Sequence, residues 1–242
     1  MSAHAPISTP DPDIAVFRTR ADEVYAQLKR DISEFKLVPG DRFTENEISE
    51  RLGVSRTPVR QALFRLQQEG FVEVLFRSGW RVLPFDFDQF EQFYDLRMIL
   101  ETTAVHRLCE TDRHVDRGML DALAGIWLVP AAQRSSDTVQ VGLWDEAFHC
   151  ALVAAAGNAE MARVHRDVTD RIRIIRRLDF TKQPRIDATY DEHAKILKAV
   201  RANRGDQAAM LLRAHIETSQ AEVRKITLHQ VHLARQGGYA PR

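Results

Sequence analysis

The chain has 242 residues and carries 34 basic and 34 acidic side chains, so its formal net charge at pH 7 is zero. This length predicts two modest domains, and the ordinary apolar content allows each of them to bury a core. No run of eighteen apolar residues is present, so we expect no membrane span. The two cysteines, Cys109 and Cys150, imply no disulfide framework, which is typical of a reducing cytoplasm. We therefore expect a cytoplasmic protein with no membrane partner.

Residues 45–63 have the pattern of a helix-turn-helix. A short helix is predicted over 45–52, and Gly53 supplies the tight turn that follows it. A second helix starts near Ser55 and carries Pro58 in its first turn, where the N–H that proline lacks would be unpaired anyway. Free backbone donors at such a helix start suit phosphate oxygens. Arg60, one turn further on, can reach a guanine edge or a phosphate. The pattern therefore predicts a recognition helix that binds in a groove of DNA.

The next segment predicts a β-hairpin, or wing, with a basic tip. Two β-prone runs, 71–76 and 80–83, flank a turn that contains glycine. Residues 51–81 hold six arginines against two acids, so the positive charge is local in a chain that is neutral overall. The alternative is a winged helix used only for protein contacts, but the clustered arginines favour DNA. The predicted DNA contacts are Arg51, Ser55, Arg56, Thr57, Arg60, Arg77, Ser78 and Gly79.

The rest of the chain has an almost wholly helical pattern. Pro84 follows the wing and marks a boundary, and helices are predicted at 89–109, 116–128, 137–155, 159–178, 186–203 and 206–230. Alanine-rich stretches indicate a close-packed bundle. The sequence thus predicts a mainly α fold: a disordered tail (1–19), a winged helix-turn-helix domain (20–83), a linker (84–88), an all-α helical domain (89–230) and a flexible tail (231–242).

The helical region contains a candidate set of metal ligands. Asp145 and His149 are four residues apart and project from one helix face, while His193 and His215 lie on two later helices. One carboxylate and three imidazoles from three helices can converge inside a bundle, as metal ligands do. Such a set suits a divalent zinc, nickel, manganese or iron ion. Spacing alone leaves open that these are ordinary polar residues of a core or surface.

Both regions resemble one family of bacterial regulators. The runs 37–43, 53–60 and 69–72 resemble the N-terminal domain of GntR-type transcription factors over residues 20–83. The runs 94–101, 145–149, 156–158 and 192–200, together with 205–206 and His215, resemble the ligand-binding FCD domain of the FadR subgroup over residues 89–228. In many family members the positions that match Asp145, His149, His193 and His215 bind a divalent metal, so the resemblance implies metal binding here.

An organic acid is the expected effector. Open positions on a bound metal can accept a carboxylate, and Arg97 on the first helix of the domain can supply a second clamp. The alternative for Arg97 is a structural ion pair with Glu101, one turn away. The run 171–177 predicts a mixed face with one arginine turned inward, and Arg173 and Arg177 are the candidates for contact with the effector.

The sequence therefore predicts a ligand-responsive DNA-binding regulator, a repressor released or modulated by a small carboxylate and not an enzyme. One winged helix reads a short half-site, so we expect a homodimer on double-stranded operator DNA. Two alternatives stay open. A metal-dependent enzyme could activate water at open coordination positions, although Glu192 has no evident partner as a general base. In a pure metal sensor, the ion itself would be the signal.

Overall fold

The computed structural model describes residues 19–84, 86–110, 115–179 and 183–225, without the side chains of 177–179 and 183. The chain divides into two compact units, residues 1–85 and 86–242. The predicted tails lie outside the described residues, except for Thr19, whose side chain caps the first helix by accepting a hydrogen bond from the backbone N–H of Asp22. None of the described helices is both long and apolar enough to cross a bilayer.

The first unit is a winged helix-turn-helix. It contains helices α1 (Arg20–Ser33), α2 (Glu45–Leu52) and α3 (Arg56–Gln68) and strands β1 (Arg42–Phe43), β2 (Val72–Leu75) and β3 (Gly79–Val82). Helix α1 packs on α3, and Leu28, Leu63 and Leu66 are fully buried. The strands form an antiparallel sheet in the order β1-β3-β2. The sequence did not predict β1, because two residues are too few to show an alternating pattern.

The turn between α2 and α3 forms for the reasons that the sequence indicated. Gly53 adopts the left-handed conformation with φ of 64°, which is accessible to glycine at little cost. Helix α2 begins with a capping box, in which Thr44 and Glu47 each bind the other's backbone N–H. Ser55 is the N-cap of α3, and Arg56 is its first helical residue. The predicted helix-turn-helix is therefore confirmed as a structure.

Gly79 is required where the wing meets β1. Its φ is +85°, and a Cβ at this position would lie 2.5 Å from the backbone oxygen of Phe43. Any larger residue would therefore combine an unfavourable backbone conformation with a clash against main chain. The packing of the wing explains why glycine stands here, whereas its predicted contact with DNA stays a prediction.

The second unit is all helical. It contains α4 (Phe87–Cys109), α5 (Arg117–Trp127), a short 3₁₀ turn (Ala131–Gln133), α6 (Thr138–Ala155), α7 (Ala159–Asp179), α8 (Gln183–Arg201) and α9 (Gly205–Val223). Helix α4 packs against α6, α7 and α9, and α8 packs against α5 and α9. The long central helix α4 therefore brings side chains of α6, α7 and α9 towards one buried region, as the predicted bundle requires.

The starts of α4 and α8 and the end of α9 differ from the sequence prediction, and several other helix boundaries shift by one or two residues. Helix α4 begins at Phe87 instead of residue 89, because the carboxylate of Asp86 caps it by accepting a hydrogen bond from the Gln89 N–H at 3.0 Å. Helix α8 begins at Gln183 instead of residue 186, since Pro184 is tolerated in a first turn. Helix α9 ends at Val223, and the predicted helical residues 226–230 lie outside the described residues.

Candidate metal centre and candidate DNA-binding surface

The four residues selected from the sequence as metal ligands lie together in the second unit, and all four are buried. The Nε2 atom of His215 lies 3.2 Å from Nε2 of His149 and 3.3 Å from Nε2 of His193. The Oδ1 atom of Asp145 lies 3.3 Å from Nε2 of His193 and 3.6 Å from Nε2 of His149. These separations fit neighbouring ligands of one first-row metal ion, whose bonds to N and O are roughly 2.0–2.2 Å long.

Two carboxylates fix the orientation of two of these imidazoles. Glu101 Oε2 lies 2.5 Å from Nδ1 of His149, and Glu192 Oε2 lies 2.6 Å from Nδ1 of His215. Burial would raise the pKa of both carboxyls, but their neighbours hold both pKa values below the usual range. The charge of Arg97 is the main cause for Glu101, and a hydrogen bond from His215 together with the charge of Arg185 is the cause for Glu192. An ionised carboxylate can only accept, so each Nδ1 donates a proton and each Nε2 presents a lone pair.

The resulting arrangement is suited to a cation. The lone pairs of His149 and His215 face each other at 3.2 Å, and Asp145 Oδ1 has no hydrogen-bond partner among the described residues. Buried electron-rich atoms that face one another are unfavourable unless positive charge lies between them. The donor set of one carboxylate oxygen and three imidazole nitrogens therefore fits a divalent transition metal.

Aromatic packing fixes the third imidazole. The ring of His193 stacks on Phe148 with a centroid distance of 3.7 Å and an interplanar angle of 6°. Trp127 meets the same ring edge-on at 4.2 Å. His193 therefore gains its orientation from packing, whereas His149 and His215 gain theirs from hydrogen bonds.

Glu101 is the hydrogen-bonding centre of this region, which the sequence did not reveal. Its carboxylate is fully buried and accepts from Arg97 Nε at 2.6 Å and from His165 Nε2 at 2.9 Å, in addition to His149. The sequence pattern indicates Glu101 only as a partner of Arg97 and gives no sign of His165. Nothing in the local pattern around residue 165 distinguishes a buried histidine from an exposed one.

Arg97 forms the ion pair with Glu101 that was the alternative to effector binding. The pair uses Nε only, and both Nη atoms lack a hydrogen-bond partner within the described part of the chain, although the side chain is fully buried. Buried donors without partners are costly, and a guanidinium edge matches an anionic oxygen pair. The ion pair and a role as an anion clamp are therefore compatible.

Among the described side chains of the run 171–177, the arginine that turns inward is Arg176. It is buried and donates to Asp145 Oδ2. Burial would raise the pKa of Asp145, but the charge of Arg176 holds it well below the usual range. Arg173 instead binds Glu146 at 2.7 Å and Asp170 at 2.6 Å, and the side chain of Arg177 lies outside the described residues. The effector contacts predicted for Arg173 and Arg177 stay predictions.

In the first unit, the N-terminal end of α3 presents polar groups to solvent. Ser55 is the N-cap residue, but its hydroxyl makes no capping hydrogen bond to the helix. The side chains of Arg56 and Arg60 are 58% and 53% exposed, and both contact Glu45. Arg51 differs, because its guanidinium binds the buried Asp31 at 2.7 Å and joins α2 to α1.

The tip of the wing is basic and exposed. Arg77 adopts a left-handed conformation with φ of 59°, and its guanidinium lies 5.0 Å from the ring centroid of Phe76. The Phe76 side chain is 85% exposed. Ser78 is also exposed and closes the turn by donating its N–H to Leu75 O at 3.0 Å. The tip is therefore basic and exposed, and a cation and a hydroxyl of this kind suit phosphate, while the contact of Arg77 and Ser78 with DNA stays a prediction.

Comparison with known proteins agrees with this architecture. Residues 20–82 match the family described as "Bacterial regulatory proteins, gntR family", and residues 92–218 match the FCD domain. The fold and these matches define the class as bacterial DNA-binding transcriptional regulators. The chain belongs to the GntR family and carries an FCD domain.

The relatives are regulators as well. The Nta operon transcriptional regulator of Aminobacter aminovorans is 30% identical over 184 residues, covering 74% of this chain and 82% of the relative. The transcriptional repressor GlaR of Escherichia coli is 26% identical over 202 residues, covering 80% and 91%. A putative GntR regulator from Rhodococcus sp. RHA1 has the same fold, with a TM-score of 0.70 at 21% identity, covering 86% and 99%. The protein is thus a transcriptional regulator and not an enzyme.

The buried histidines predict how the stability of the metal-free protein depends on pH. Burial lowers the pKa of His215 from 6.5 to about 4 and that of His193 well below 6.5. Between pH 6.5 and 4 the unfolded chain therefore binds protons that the folded chain does not, so the free energy of unfolding must fall as pH falls. Each shifted group contributes a slope of about 1.4 kcal/mol per pH unit. Urea unfolding with a chelator present, repeated across this range, measures the slope.

The controls are two substitutions of histidine by glutamine. His215→Gln removes one of the shifted groups and should make the slope shallower, whereas His106→Gln on the exposed side of α4 should leave it unchanged. Equal slopes for the wild type and His215→Gln would contradict the prediction.

Proposed function

We propose that this protein is a repressor of the FadR subgroup whose hold on operator DNA is controlled by a small carboxylate bound beside a metal ion in the helical domain. The observation that carries the proposal is the convergence of Asp145, His149, His193 and His215 next to Arg97, whose Nη atoms have no hydrogen-bond partner in the described part of the chain. The matched family and the relatives support the action on DNA. The protein would act in the cytoplasm.

The proposed metal ligands are Asp145 Oδ1 and the Nε2 atoms of His149, His193 and His215. Glu101 and Glu192 would keep the imidazoles of His149 and His215 in the tautomer that binds metal. Carboxylates that accept a hydrogen bond from a metal-binding histidine do this in many metal sites. When bound, a zinc, nickel, manganese or iron ion would supply a positive centre with room for an oxygen ligand.

The effector would be an acid because of the charges around this centre. Glu101 binds Arg97 through one carboxylate oxygen and His149 through the other, so the guanidinium lies beside a proposed ligand. Arg176 is a second buried guanidinium, bound to Asp145, and its Nη1 has no hydrogen-bond partner among the described residues. A carboxylate would satisfy donors that are otherwise unpaired. Through differential binding it would favour one arrangement of the bundle.

The first test concerns metal content. Protein purified without chelator or affinity metal should contain about one ion per chain by elemental analysis, and His193→Ala should lose most of it. The thermal stabilisation that added metal gives should disappear in the same variant, because a bound ion stabilises only the state that binds it. His106→Ala serves as a control outside the cluster. If all three proteins contain equally negligible metal, the proposal is wrong, and Asp145, His149, His193 and His215 are polar residues of the core.

The second test concerns the effector. Mono-, di- and hydroxycarboxylates are titrated into the metal-loaded protein bound to DNA, and the acid concentration that releases the DNA is measured. Arg97→Gln should require a roughly tenfold or higher concentration for release, because the variant loses charge-assisted hydrogen bonds to the acid. Arg173→Gln should have a smaller effect, because Glu146 and Asp170 already hold that guanidinium. Release from DNA by metal removal alone, with no response to any acid, would favour the pure metal sensor.

The third test concerns DNA. A duplex selected by the full-length protein from a random library serves as the operator probe. If Arg60 reads a base, Arg60→Ala should weaken the free energy of DNA binding by about 1–3 kcal/mol. If Arg56 contacts a phosphate, Arg56→Ala should reduce the salt dependence of the DNA affinity by about one unit of slope. Lys36→Ala, an exposed cation in the first unit but outside α3 and the wing, is the control. Unchanged binding by the double variant of Arg56 and Arg60 would contradict the assignment of α3 as the reading helix.

The fourth test concerns assembly. We expect a homodimer held mainly by the helical domain, since paired half-sites give adequate specificity. Ile99 on α4 and Met210 on α9 are large apolar side chains that are 62% and 63% exposed, as expected of a face that a second copy covers. Sedimentation at micromolar concentration should give twice the 27.7 kDa of one chain, and the fragment 84–242 should also be dimeric. A monomeric full-length chain would contradict this.

A further inference from the structure

One carboxylate on α2 contacts two exposed arginines of α3, Arg56 and Arg60. Glu45 accepts from Arg60 Nε at 2.9 Å and from Arg60 Nη2 at 2.7 Å, which is a bidentate pair. Arg56 Nη2 lies 3.3 Å from the same carboxylate. These three side chains line a groove of about 310 Å³ whose other walls include Trp80 of the wing. The sequence pattern predicted a role in DNA binding for Arg56 and Arg60 but none for Glu45.

Glu45 is held more firmly than a surface glutamate. Its side chain is only 14% exposed, whereas the two arginines are more than half exposed. It is the first residue of α2, directly after the N-cap Thr44, and the capping box fixes the start of that helix. Strand β1, just before it, pairs with β3, where Gly79 lies against Phe43. The hydrogen bond from Arg60 lowers the pKa of Glu45, so the carboxylate is ionised at neutral pH.

The geometry of the pair leaves the reading edge of Arg60 unused by Glu45. A guanidinium has five N–H groups in a rigid fork. Glu45 occupies the side edge, formed by Nε and one N–H of Nη2. The end edge, with one N–H on each Nη atom, therefore remains for another acceptor pair. Guanine offers such a pair, O6 and N7, in the major groove.

The charge of Glu45 also matters for DNA of any sequence. Two exposed arginines at a helix start would bind phosphates wherever they met them, and such contacts carry no sequence information. A carboxylate shared between them lowers the local positive charge and restrains both side chains. Each effect weakens binding to random DNA more than binding to a site where Arg60 meets its guanine.

We propose that Glu45 is a specificity-determining positioning residue, which holds Arg60 side-on so that its end edge faces a guanine and which restrains Arg56 and Arg60 from indiscriminate phosphate binding. This inference rests on the proposed role of α3 in reading DNA. Glu45 itself would touch no base.

The test compares three variants of the full-length protein. Glu45→Gln removes the charge and the bidentate acceptor, while Glu45→Asp keeps the charge but is too short to hold Arg60 in the same way. Glu50→Gln, an exposed glutamate on the same helix, is the control for charge. Dissociation constants are measured at several salt concentrations on the duplex selected by the wild type and on a random-sequence duplex of equal length. Thermal unfolding checks that each variant is folded.

We expect Glu45→Gln to bind the random duplex more tightly, with a salt slope steeper by about one unit for each arginine that is released. The ratio of specific to random affinity should fall roughly tenfold, as expected when a bidentate guanine contact is weakened. Glu45→Asp should also lower the ratio, but without a steeper salt slope. Selection from a random library by Glu45→Gln should show weaker preference at a guanine position.

The proposal is overturned if Glu45→Gln behaves like Glu50→Gln. It is also overturned if both affinities rise equally, because Glu45 would then only compete with phosphate. If Glu45→Gln is unfolded, Glu45→Asp with an unchanged ratio also overturns it. The Arg60→Ala variant separates the two levels of the argument: no effect on either duplex removes the proposed role of α3 and this inference with it, whereas an effect at Arg60 without one at Glu45 removes the inference alone.

Discussion

The helical unit depends on the buried carboxylate of Glu101. An ionised carboxylate inside a protein is stable only when charge and hydrogen bonds compensate for its lost hydration. Here Arg97, His149 and His165 provide that compensation from helices α4, α6 and α7. Because this carboxylate meets Nδ1 of His149, it determines which nitrogen of that ring carries the proton and which presents a lone pair.

A second set of contacts repeats the same principle with other partners. Glu192 fixes the tautomer of His215, and Arg176 keeps Asp145 ionised. The outcome is a buried group of electron-rich atoms whose orientations are set before any ion binds. Preorganisation of this kind lowers the cost of ordering ligands on binding, and it makes the site sensitive to any movement of the three helices that carry them.

The first unit uses an ion pair for a related purpose at its surface. Glu45 orients Arg60 much as Glu101 orients His149, by accepting a hydrogen bond on one side of a planar cation or ring and leaving the other side available. In both cases the carboxylate is the less exposed partner or equally buried, and a helix fixes its position. In both units, the side chain that we propose to contact the ligand is thus oriented by a carboxylate that would not contact it.

Local sequence patterns were enough to predict the helices, the wing hairpin and the four candidate metal ligands, but not the short strand β1. Gly53, Pro58 and the 3.6-residue periods are local signals, and the i, i+4 spacing of Asp145 and His149 places both on one helix face wherever that helix packs. The packing of the helices brings Glu101 to His149 and His165, 48 and 64 residues away, and it turns Arg176 rather than Arg173 inward to Asp145. Contacts between distant residues depend on how helices rotate and pack against each other, and a local pattern carries no information about that rotation.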